Sequence, residues 1–182
     1  MIKKYVAGDT TQLSEHFNVT EFRCKCKELH DTKIDTDLID KLEKLFKALK
    51  CSKIIVNSGH RCSAHDKAVG GYGSGKHVDG MAADIVCYDK SNNVISSKEV
   101  CAAAQDVGFN GIANIDITYT ATHVDTRAGG KWYGDEAFPG GTSSSVTDDF
   151  YAHFGIAKPE KNTADVSVTI DGIKYSGTLT AD

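Results

Sequence analysis

Between residues 34 and 50 the apolar side chains Leu38, Ile39, Leu42, Leu45, Phe46 and Leu49 recur at spacings of one, three and four. That is one face of an amphipathic helix, with Asp35 or Thr36 placed to cap its start. Ile54-Ile-Val-Asn-Ser58 then reads as a strand, and residues 63–69 suit a short helix before Gly70-Gly71. Residues 70–75 are a loop by composition. A short, mostly apolar run at 81–86 suits a buried strand, residues 98–107 suit a helix closed by Gly108, and 112–115 and 122–126 add two strands. This order predicts an α+β domain, a small and largely antiparallel sheet with flanking helices.

The composition shifts near Gly140. Gly-Gly-Thr-Ser-Ser-Ser is linker-like, and Lys158-Pro-Glu-Lys-Asn-Thr163 continues in that style. From Val166 onward apolar and polar residues alternate around Asp171-Gly172, a pair that favours the tight type I′ turn of a hairpin. The expected division is a main domain at 1–138, a linker-like segment at 139–165 and a β-hairpin tail at 166–182. A lone hairpin is marginal in water, so this one is expected to dock on the main domain or to begin a further module.

Composition narrows the function classes. The 182 residues are 40% hydrophobic and 25% charged, ordinary for a globular chain. No run approaches the ~20 apolar residues of a membrane-spanning helix, so no membrane insertion is expected. A net charge of −4 with scattered lysines argues against a nucleic-acid partner, and the lysine-dense stretch 41–53 reads as a solvated helix face. The first residues carry two lysines but no apolar stretch behind them, unlike a secretory signal, so synthesis in the cytoplasm is expected. Six cysteines (Cys24, Cys26, Cys51, Cys62, Cys87, Cys101) allow many pairings. Cys24-Lys-Cys26 is tighter than the C-x2-C half of a zinc site and no second pair follows, so buried thiols or one or two structural disulfides are expected.

The chemistry concentrates in three segments: Ser58-Gly-His-Arg-Cys62, residues 74–84, and Thr122-His-Val-Asp-Thr-Arg127. Zinc catalysis needs three ligands of His or carboxylate type and one open position. His77 in a glycine-rich loop, Asp84 on a short strand and His123 on a later strand offer such a set. Gly80 supplies a bend, and Ala82 and Ala83 are small enough for close packing behind a site. Strand alternation puts Ala121, His123, Asp125 and Arg127 on one face. By spacing alone the signal is weak, because a His beside an Asp is commonly a structural pair.

Together these segments resemble the zinc peptidases that include D-alanyl-D-alanine carboxypeptidases and L-alanyl-D-glutamate phage endolysins. The pattern there is a Ser-Gly-Tyr-Arg-like strand end, then Ser-x-His-x-x-Gly-x-Ala-x-Asp, then a final His. His77, Gly80, Ala82 and Asp84 match the central motif. His123-Val-Asp-Thr-Arg127 resembles the His-Val-Asp-x-Arg ending of one branch, with Trp132 in place of the Trp that often follows. Leu13-Ser-Glu-His-Phe17 and Glu21-Phe-Arg-Cys24 fit the same branch, so the likeness covers residues 12–133. Three departures stand out: Gly75 where the family has Ser (Ser74 is displaced by one), His60 where an aromatic is usual, and Thr120 where many relatives carry an acidic general base.

The resemblance implies zinc as cofactor, held in a cleft by His77, Asp84 and His123, and a peptidoglycan stem peptide as substrate for a monomeric enzyme. It gives Arg61 the task of binding a substrate carboxylate or carbonyl or stabilising the transition state, unless Arg61 sits in a structural salt bridge. Thr120 cannot take a proton near neutral pH, so Asp125 is the candidate general base. Its alternatives are orienting a ligand His or pairing with Arg61 or Arg127, and Asp116 is an outside candidate. His16, His30, His65 and His153 read as surface residues; Tyr72, Trp132 and Tyr133 line a cleft or belong to the core. A wall substrate without a secretory signal implies a phage or prophage lysin that reaches the wall after release. The competing reading is a non-catalytic zinc-binding module on the same fold; a weaker one places the function in the C-terminal hairpin.

Overall fold

The structure, a computed structural model, describes residues 1–138, 149–159, 163–171 and 173–180. The chain runs β1 (Ile2–Tyr5), α1 (Val19–Phe22), β2 (Thr32–Asp35), α2 (Thr36–Ala48), β3 (Lys53–Ser58), α3 (Ser63–Ala68), α4 (Lys76–Asp79), β4 (Ala82–Tyr88), α5 (Ser97–Val107), β5 (Gly111–Asn114), β6 (Thr122–Asp125), β7 (Trp132–Asp135), α6 (Phe150–Phe154), β8 (Thr163–Ile170) and β9 (Ile173–Thr180). It is an α+β fold, as the order of elements predicts.

The central sheet has five strands in the order β3-β4-β6-β5-β7. Its pairings are antiparallel except the last, β5 with β7, which is parallel and makes the sheet mixed. β1 and β2 form a separate antiparallel pair. Every residue of β4 from Ala82 to Cys87 is buried, because both faces of that strand are covered.

One face of the sheet carries the core. Ala83, Ile85, Cys87, Ile112, Val124 and Tyr133 pack there against Leu38, Leu42 and Leu45 of α2 and Val100, Cys101 and Ala104 of α5. The α2 stripe is the one the apolar spacing predicts, and Asp35 caps the helix by accepting from the Asp37 backbone N–H. The Asp35 carboxylate is also fixed by the Thr126 hydroxyl at 2.7 Å, which ties the start of α2 to the end of β6. Residues of the opposite alternation leave the other face of the sheet, and the candidate site lies there.

Several elements were not legible as such. β1, α1, β2 and β7 are four residues each, too short to build a period, and Asp35, the expected cap of α2, also closes β2. Within the stretch that reads as linker-like, α6 packs on α5, with Phe150 fully buried and the Tyr151 hydroxyl donating to Asp106 at 2.7 Å. β8 and β9 pair antiparallel from Thr163↔Thr180 to Ile170↔Ile173; Gly172 of the expected turn lies outside the described residues. Among the described residues no helix is long and apolar enough to cross a membrane.

Candidate metal centre

Asp84 on β4 and His123 on β6 are direct cross-strand partners, so both side chains leave the same face of the sheet. His77 reaches them from outside the sheet. It sits on α4, a single helical turn where the glycine-rich composition suggested loop. Gly80 closes that turn in the left-handed region (φ +77°), and a Cβ there would collide with the Lys33 carbonyl, so a side chain is excluded twice over. The structure thus brings together all three residues that the sequence marks as ligands.

Their donor atoms converge. His77 Nε2 lies 3.2 Å and His123 Nδ1 2.9 Å from Asp84 Oδ1, and the two ring nitrogens are 3.3 Å apart. Zinc bonds of about 2.0–2.1 Å in tetrahedral geometry place ligand atoms about 3.3 Å from one another. The set therefore fits a zinc ion in donor type and in spacing.

Each donor is aimed by a second contact. His77 Nδ1 is 2.7 Å from the Gly59 carbonyl, which only accepts, so Nδ1 carries the proton and Nε2 turns a lone pair to the site. Asp84 Oδ2 accepts from Arg61 Nη2 at 2.6 Å. Arg61 is itself held by the Ser58 hydroxyl (2.8 Å) and by Asp66 (3.3 Å). A bulge in β3 between Val56 and Ser58 sets Ser58 opposite Asp84, and so within reach of Arg61. His123 Nε2 lies 3.2 Å from Asp125 Oδ2, and Asp125 in turn accepts from Arg127 at its backbone N–H and Nε, both 2.9 Å away. Gly111, the cross-strand partner of Asp125, leaves the space that this carboxylate fills.

The result is an unbroken row of alternating charge: Arg127, Asp125, His123, Asp84, Arg61, Asp66. Burial works against ionised Asp84, but the hydrogen bond and positive charge of His123 outweigh it and hold the carboxyl well below its ordinary range. Burial opposes a charged His123 as well, and Asp125 and Asp84 overcome it, lifting the ring to about 9. A metal held by His77, Asp84 and His123 would displace the proton from His123 Nδ1, the nitrogen that faces Asp84.

Asp125 touches the ring nitrogen of His123 that is turned away from Asp84, and Arg127 occupies its remaining capacity. This geometry orients the His123 imidazole and weighs against the free carboxylate that a general base requires. Arg61 spends its guanidinium on Asp84, Asp66 and Ser58, the salt-bridged arrangement weighed against substrate binding. Asp116 is tied up in its own loop by the Thr118 and Thr120 hydroxyls and the Ala121 N–H. His153 is half-buried, its ring held 2.9 Å from the Asp135 carboxylate, and is not a freely exposed surface residue.

Sequence reasoning missed the strand that walls the site. In the paired register, Asp84, His123, Ala113 and Gly134 form one row across β4, β6, β5 and β7. Ala113 and Gly134 leave low ground beside His123. On β7, Trp132 shares the alternation of Gly134; its ring meets the His123 ring edge-on at 5.6 Å and stacks under the Arg127 guanidinium. Two residues past Gly134, Glu136 opens the turn after β7, its N–H held by the Asn114 carbonyl. It is exposed, and partial burial together with the negative fields of Asp116 and Asp84 raises its pKa. The signal for this wall is Trp132-Tyr-Gly134, read with a period of two.

Fold and site together define a metallopeptidase-like α+β domain. The sequence pattern of peptidase M15 matches residues 15–125, and the chain belongs to that family, the zinc D-alanyl-D-alanine carboxypeptidase-like peptidases. No curated protein and no solved structure matches the chain.

Proposed function

We propose that this protein is a zinc-dependent peptidase of bacterial peptidoglycan stem peptides, with His77, Asp84 and His123 as metal ligands. The observation that carries the reading is the convergence of three donors within 2.9–3.3 Å of one another, each aimed by its own second contact. A zinc ion there would supply Lewis-acid polarisation of the scissile carbonyl and a nucleophile at neutral pH. Arg61 and Asp125 hold Asp84 and His123 in place. The peptide lies across Ala113 and Gly134, between Trp132 and the Arg61 side.

Hydrolysis also needs a group that accepts a proton and passes it to the leaving amine. Glu136 is the carboxylate on this face that is exposed, close enough to feel Asp84, and not consumed by an arginine, so the role falls to it in place of Asp125. The catalytic unit is residues 1–138 with α6 packed on it, and β8–β9 is an appendage. A wall-directed substrate fits a phage or prophage lysin acting after release from the cell.

The test is incubation with defined muropeptides, reading product masses with and without a chelator. Chelator-sensitive cleavage supports the reading, and the masses show whether the cut is terminal or internal. Zinc uptake without cleavage of any muropeptide would sink it in favour of the non-catalytic zinc module, a reading that Thr120 and the engaged state of Asp125 favour.

A further inference from the structure

Away from the His77 site, the structure gathers three thiols that the sequence keeps apart. Cys24 and Cys26 follow α1, and Cys62 stands at the start of α3. Their sulfurs all lie within 4.8 Å of one another, with Cys24 to Cys26 at 3.4 Å and Cys26 to Cys62 at 4.0 Å. Cys51, Cys87 and Cys101, by contrast, are buried among apolar side chains of the core.

We propose that Cys24, Cys26 and Cys62 form a second, structural zinc site. Zn–S bonds of about 2.3 Å in tetrahedral geometry set sulfurs about 3.8 Å apart. The spacings found bracket that value and are far from the ~2.05 Å of a disulfide. A disulfide would also pair two of the three and strand the third, whereas one cation engages all. Two of the sulfurs already receive backbone N–H donors, Cys24 from Cys62 and Cys62 from His65, both at 3.3 Å, a setting that suits thiolate. Three soft donors select zinc over the hard cations. Among the described residues no fourth His, Cys or carboxylate joins the cluster, so a water or small anion completes it. Each thiol gives its proton to solvent as the metal binds.

The site has a mechanical consequence. Cys62 directly follows Arg61, and Arg61 holds Asp84. A metal on the three sulfurs pins the segment after α1 to the turn that carries Arg61, and so steadies the first centre from behind.

The test counts metal in the full chain, purified reduced and with zinc supplied. The expected content is two zinc per chain, falling to one in Cys62→Ser and to one in the His77→Ala, His123→Ala double variant. Cobalt exchanged into that double variant should show the near-ultraviolet thiolate-to-cobalt absorption. In the wild type, alkylation mapped by mass should leave Cys24, Cys26 and Cys62 protected until a chelator is added; this arm needs no variant to fold. Unchanged zinc in Cys62→Ser, absence of the thiolate band, or a native mass two hydrogens short from a disulfide among these cysteines would each overturn the proposal. Because the thiolate band and the protection are read apart from the His77 site, they stand or fall independently of the proposed peptidase function.

Discussion

Asp84 and His123 face each other across β4 and β6, and one carboxylate oxygen of Asp84 lies 2.9 Å from His123 Nδ1 and 3.2 Å from His77 Nε2. Two strands in register fix two donors, and one helical turn delivers the third. The arrangement tolerates little movement, because the other Asp84 oxygen is held by Arg61.

The first prediction follows from that shared oxygen. His77→Ala and His123→Ala each lose the zinc of this centre, measured by metal analysis after dialysis at limiting free zinc. Arg61→Lys keeps the charge but not the fork that spans Ser58, Asp66 and Asp84, so zinc affinity falls roughly 10–100-fold, the usual effect of losing a contact behind a metal ligand. Full zinc retention by both histidine variants would remove the assignment.

The second prediction separates two carboxylates. Glu136→Gln keeps the zinc content and lowers turnover by about 10²-fold or more, as loss of a general base does. Asp125→Asn leaves a proton acceptor in place but weakens the hold on His123, so its main effect is on zinc affinity. Muropeptide turnover at saturating zinc, set beside zinc titrations of each variant, distinguishes them. Normal turnover in Glu136→Gln would return the base role to Asp125 or to water alone.

How much of this was legible depended on the length of the signal. The stripe of α2 repeats over three turns, and the ligand motif places His77, Gly80 and Asp84 at fixed spacing, so both could be read directly. β7 has four residues, and its pairing with β5 is parallel and non-local, so neither alternation nor a hairpin turn announced it. That is why Trp132 stayed undecided between cleft and core, and why Glu136 went unnoticed. The cysteine cluster was hidden for the same reason: Cys26 and Cys62 are 36 positions apart, and the packing of α1 against β3, with the His60 N–H donating to the Phe22 carbonyl, closes the gap. Asp125 shows the opposite limit, since its face was foreseen but the partner that occupies it was left among several.

The third prediction concerns the end of the domain. A chain cut after Pro159 keeps the fold and the His77 centre, because β8 and β9 supply none of its residues. A chain cut after Phe138 loses Phe150 from the core, a change that costs about 3–5 kcal/mol for an aromatic of this burial. Urea unfolding of the two truncations, side by side, measures the difference. Equal stability would mean that α6 is dispensable and that the domain ends before it.

The last prediction is a pH dependence that belongs to His60, the residue standing where an aromatic is usual. Its ring is buried, Nδ1 has no hydrogen-bond partner among the described residues, and burial, with the nearby Lys33 and then His30 and His77, pushes its pKa down to about 4. An unfolded chain protonates the same ring near 6.5. Between those values the unfolded state holds a proton that the folded state lacks, so stability falls as pH drops through the window and levels off below about 4. The shift corresponds to about 3 kcal/mol across the whole range. His60→Phe cannot take up the proton in either state and also removes the unpaired nitrogen. Its unfolding free energy should therefore decline less on acidification than that of the wild type, with the gap opening between about pH 6.5 and pH 4. Both proteins must be measured free of metal, by urea unfolding in chelator, so that loss of zinc at low pH does not enter the comparison. Parallel curves for the two proteins would show that His60 takes up its proton in the folded state as readily as in the unfolded one.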